Sequence, residues 1–85
     1  MILKSKGATV DILAGANLVG NAVLVSVINT NTVPALITNS NGNDIWIAAG
    51  ERVVIQKEFD ETLIATAPDA GAPTEVFATP VAYLA

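Results

Sequence analysis

Apolar residues arrive in this chain in short runs, such as AVLVSVI at 22–28 and DIWIAA at 44–49, and each run is closed by Asn, Gly, Thr or Pro. Nowhere do they recur as a stripe with a 3.6-residue period, so an amphipathic helix has no face to bury. Val, Ile and Thr dominate the runs, which is the composition a pleated, half-covered surface prefers. The chain therefore reads as all-β. Expected strands are ILKS (2–5), ATVDIL (8–13), AVLVSVINTN (22–31), VPALITN (33–39), DIWIAA (44–49), ERVVIQKE (51–58) and ETLIAT (61–66), with a last extended stretch in EVFATPVAYLA (75–85). The segment 22–31 is the strongest. Val23, Val25 and Val27 alternate with Leu24, Ser26 and Ile28, so both of its faces are expected to be covered.

Turn chemistry separates these runs. AGANLVGN (14–21) reads as a loop in which Leu18 and Val19 tuck inward or pair briefly. Asn41-Gly42 is the dipeptide most favourable to a type I′ hairpin turn. TAPDAGAPT (66–74) is an irregular loop, and Pro80 places the last stretch at an edge or at a bulge. About seven short antiparallel strands in one domain, residues 1–85, predict a small β-sandwich, with a small barrel as the alternative.

Composition then bears on partners. Apolar residues make up 52% and charged residues 14%, against a usual charged share of about a quarter. A folded chain of this mass exposes roughly 4,700 Å², more than twelve charged side chains can cover. The excess apolar area predicts a homo-oligomer. A net charge of −4, with Lys4, Lys6, Arg52 and Lys57 as the whole basic complement, argues against nucleic acid. No run approaches the ~20 apolar residues of a membrane-crossing helix. MILKSKGATV lacks the apolar core of a signal peptide, so a soluble product made inside the cell is expected.

The chain has neither cysteine nor histidine, so thiolate chemistry, Ser-His nucleophiles and the usual zinc ligand sets are excluded. The acidic cluster in KEFDE (57–61) lacks the alternating oxygens and central glycine of an EF-hand and reads as a solvated turn. Glu51, Arg52, Lys57, Glu58, Asp60 and Glu61 are expected to keep strand ends wet. No catalytic, cofactor-binding or metal-ligating residue is predicted, and the chain reads as a non-enzyme. Trp46, the single tryptophan, is expected in the sandwich core or at a subunit interface. PVAYLA is an unusually apolar stretch, expected to dock on a neighbour. The candidate interface residues are thus Trp46, Pro80, Val81, Tyr83 and Leu84.

The stretch WIAAGERVVIQKEFDETLIAT, followed by VFATPVAYLA, resembles small β-sandwich virion proteins of tailed bacteriophages, among them phages of marine and cyanobacterial hosts. The shared pattern is an apolar strand, Ala-Gly, a strand ending in Lys, an acidic turn with Thr-Leu, and a closing Ala-Thr-Pro-Val-Ala-Tyr. It covers roughly the C-terminal half and defines no functional residues. The resemblance implies a virion structural component, foremost a capsid decoration or cement protein that sits as trimers or other small oligomers on the major capsid protein. The alternatives are a tail- or fibre-associated subunit, or a host-surface carbohydrate-binding module using Trp46 and the loop at 66–74.

Overall fold

The computed structural model describes residues 2–13, 15–66 and 76–84, and of Ile2, Tyr83 and Leu84 the backbone alone. The loop expected at 66–74 falls, but for its first residue, outside them. Eight strands form two antiparallel sheets: β1 (Ile2–Ser5), β2 (Val10–Asp11), β3 (Leu24–Asn29), β4 (Ala35–Asn39), β5 (Asp44–Ile47), β6 (Arg52–Gln56), β7 (Leu63–Thr66) and β8 (Val76–Leu84). The larger sheet runs β1-β8-β3-β6, with β2 also on β8, and the smaller runs β5-β4-β7. The arrangement is a sandwich.

Alternation fills the space between the sheets. On β3 the inward residues are Val25, Val27 and Asn29, and register places Ala78 of β8 and Val53 of β6 in the same row as Val27. From the smaller sheet Ala35, Ile37, Ile47, Leu63 and Ala65 face them, and all are buried. The outer face of β3 is only partly covered: Leu24 and Ile28 are half-buried, while Ser26 is buried and accepts a hydrogen bond from Arg52 Nη1 at 2.6 Å.

Pro80 explains the most irregular pairing. From Ser5↔Val81 to Val10↔Ala78, β1 and β2 advance five residues while β8 advances three, so the two short strands are one run interrupted by a two-residue bulge. The Pro80 carbonyl accepts from Lys6 N–H at 2.7 Å. In an antiparallel pair a residue's nitrogen points the same way as its carbonyl, so the proline's missing N–H is turned toward the bulge, where no ladder bond is lost. Gly7 sits against the ring, and a Cβ there would lie 2.9 Å from Pro80 Cγ.

Two stitches join the sheets. On one side Ala65 N–H donates to Ile12 O at 3.0 Å, Leu63 and Asn17 exchange backbone bonds, and Ile12 N–H donates to Val76 O at 2.9 Å. Ile12 and Asn17 thereby cover the outer edge of β7. Just beyond Asn17, Val19, Gly20 and Asn21 all take left-handed φ (53°, 65° and 57°), a conformation unfavourable for a β-branched residue. Complete burial of the Val19 side chain offsets it. Leu18, by contrast, stays at the surface.

On the other side Asn29, fully buried, is the node. Its Nδ2 donates to Val33 O at 2.9 Å and to Ala48 O at 3.2 Å, and its Oδ1 accepts from Asn31 N–H at 3.0 Å and Asn31 Nδ2 at 2.7 Å. One amide thus ties β3 to the loop before β4 and to the end of β5.

Candidate assembly surface

Geometry at the surface centres on β5, and its placement begins in the preceding turn. Asn39 O accepts from Gly42 N–H at 3.0 Å, and Asn39 N–H donates to Asn43 O at 2.9 Å. Among these residues only Gly42 has a positive φ, 85°. The hairpin forms where Asn41-Gly42 predicts it, but as a three-residue type I turn with a left-handed glycine bulge, not the expected type I′ turn. Asn39 Oδ1 decides between them by accepting from both Asn41 and Asn43 N–H, which holds Asn41 at negative φ. At the other end of β5, Glu51 N–H closes onto Ala48 O at 3.0 Å with Gly50 at φ 75°, a type II turn capped by Glu51 Oε1 on Ala48 N–H at 2.9 Å.

Among the described residues strand β5 pairs with β4 alone. Its register is Asp44↔Thr38, Ile45↔Ile37, Trp46↔Leu36 and Ile47↔Ala35. Counting from the Asn39–Asn43 bond, ladder bonds fall at Ile45 and Ile47, so the N–H and C=O of Asp44 and Trp46 point to the open side. Trp46 lies in the outer row with Leu36 and Thr66, and 57% of it is exposed. The expected core position is therefore corrected. Ile47 takes the core, and period-2 alternation carries its neighbour to the opposite face. Ile45 points inward like Ile47, yet 49% of it is exposed, because no described strand lies beyond the edge. With Ile37, Ile55 and Leu63 it lines an open cleft of about 110 Å³ between the sheets, rimmed by Asn39, Asn43 and Asp44.

Of the other predicted interface residues, Pro80 and Val81 are buried within the chain itself, Pro80 against Gly7, so neither contributes to free surface. The side chains of Tyr83 and Leu84 lie outside the described structure; their backbones pair with Leu3 and Ile2. Sequence reasoning passed over Phe59 (60% exposed) and Val23 (55%). Phe59 could have been found, since a side chain between Glu58 and Asp60 at the centre of a turn has nowhere to bury. Val23 precedes β3, although its alternation with Val25 and Val27 predicts a covered face.

The KEFDE turn is more ordered than its charge suggests. Glu61 N–H bonds Glu58 O at 3.1 Å, Glu61 Oε1 accepts from Glu58 N–H at 2.7 Å, and Oε2 accepts from Asn41 Nδ2. Lys57 and Glu61 are buried, 5% and 8% exposed, which corrects the expectation that all these charges sit in water. Burial lowers the Lys57 pKa below its ordinary value, and the nearby Glu61 and Asp60 charges oppose that shift. Among the described residues no three His, Cys, Asp or Glu side chains converge as a metal site would require, and no helix is long and apolar enough to cross a membrane.

No family model, curated protein or solved structure matches the chain.

Proposed function

We propose that this chain is a structural subunit of a bacteriophage particle, in its most specific form a capsid decoration protein that binds the major capsid protein and copies of itself. The observation that carries the reading is the exposed apolar pair Ile45 and Trp46 on the open edge of β5. Apolar surface beside unpaired strand groups is a template for another protein chain. Covering it releases about 25 cal/mol per Å² of apolar area, and repetition over a symmetric shell turns individually weak contacts into a strong collective one. The resemblance of the C-terminal half to phage virion proteins supplies the setting.

The test is quantitative mass spectrometry of purified particles of a phage carrying this sequence. A copy number comparable to that of the major capsid protein supports decoration, a handful of copies supports a tail or fibre subunit, and absence from particles removes the reading. The exposed indole also keeps a carbohydrate-binding alternative in view, because Trp46 is free to stack on a sugar. Glycan titration of its fluorescence separates the two, since a decoration subunit gives no shift.

A further inference from the structure

The geometry points to a two-fold pairing of β5 with β5 of a second copy, in antiparallel register centred on Ile45. This deepens the assembly reading above and rests on it for the claim that the chain meets its own copies.

The sheet edges are not equivalent. The outer edge of β7 is covered by Ile12 and Asn17, β1 carries Lys4 and runs into Lys6, and β6 begins with exposed Arg52. Positive side chains on an edge strand discourage pairing. Among the described residues only β5 combines an open edge, no Lys or Arg, and two large exposed apolar side chains.

Its complement is its own sequence. The open side offers two N–H donors and two C=O acceptors, at Asp44 and Trp46. With Ile45 opposite Ile45, Asp44 of each copy lies opposite Trp46 of the other, and all four groups on each strand pair. On the outer face each indole N–H, a donor only, meets a carboxylate, an acceptor only, and the two indoles lie on one diagonal within aromatic reach. On the inner face Ile45 of the second copy closes the open end of the cleft lined by Ile37, Ile45, Ile55 and Leu63. A two-fold axis delivers the same side chain to both clefts at once. The product is one continuous six-stranded sheet, β7-β4-β5 joined to its symmetry copy.

The chain has no cysteine, so single substitutions read the register directly. Sedimentation of the wild-type chain up to millimolar concentration should show a monomer–dimer equilibrium. Under mild oxidation Ile45→Cys should give mostly disulfide-linked dimer, because directly opposed residues without mutual backbone bonds approach most closely. Trp46→Cys should give little. Ile45→Lys should raise the dissociation constant at least tenfold while a cooperative melting transition is retained at a somewhat lower temperature, since the half-covered side chain can turn its ammonium out past the open edge. Cross-linking at residue 46 but not 45, a trimer, or dimers indifferent to Ile45→Lys would each overturn the proposal. A chain abundant in phage particles yet monomeric and uncross-linked at residue 45 overturns the pairing and leaves the virion reading standing; a cross-linked chain absent from particles does the reverse.

Discussion

At the residue scale Asn29 concentrates the most consequence in the fewest atoms. Its amide satisfies backbone carbonyls from two segments and both donors presented by Asn31, in a place water does not reach. Buried groups that lose a partner cost about 1–3 kcal/mol each. Asn29→Ala should therefore lower stability by about 3 kcal/mol, a large share of what a small domain has. Asn29→Asp keeps the acceptor but loses the donor and adds a buried charge, so it should be at least as damaging; urea midpoints of the two variants check this. In the sequence Asn29 falls simply within the expected strand 22–31. Nothing in NTNT distinguishes the asparagine that organises two loops from those that sit in solvent, because the distinction lies in which backbone carbonyls fold back to meet it.

At the element scale, two features pair a local rule with a distant partner. The bulge between β1 and β2 exists because Pro80 cannot donate, and Gly7 exists there because the ring leaves no space for a Cβ. Gly7→Ala should cost about 1–3 kcal/mol, as overpacking usually does, whereas alanine at Gly15, where a Cβ would meet nothing within 4 Å, should not; denaturant midpoints separate them. The second feature is the 57–61 turn. Since burial holds the Lys57 pKa below 10.5, the folded chain binds that proton less tightly than the unfolded one. Lys57 therefore contributes a destabilising term at neutral pH that fades as pH rises from the folded pKa toward 10.5. Chemical denaturation at stepped alkaline pH should show this rising contribution in the wild type and lose it in Lys57→Met.

At the scale of the whole molecule, the accessible area is 4895 Å², close to the roughly 4,700 Å² expected of a compact chain of this mass. The chain is as compact as its size leads one to expect, yet Trp46, Phe59, Val23 and Ile45 remain outside. Neighbouring positions on β5 should respond in opposite ways. Ile47→Ala removes a core side chain and should cost about 2–5 kcal/mol. Trp46→Ser should change stability by only about 0.5 kcal/mol while weakening self-association, as thermal melts and sedimentation of both variants will show. By itself the sequence determined the all-β class, where the strands lie, the hairpin at Asn41-Gly42 and an edge or a bulge at Pro80, because strand period and turn preference are properties of a few adjacent residues. Which face of β5 meets the core, which edges stay open, and why Lys57 and Glu61 are buried were decided by tertiary structure alone. Alternation says that Trp46 and Ile47 face opposite ways, but only the second sheet, arriving from distant parts of the chain, says which of the two is inside.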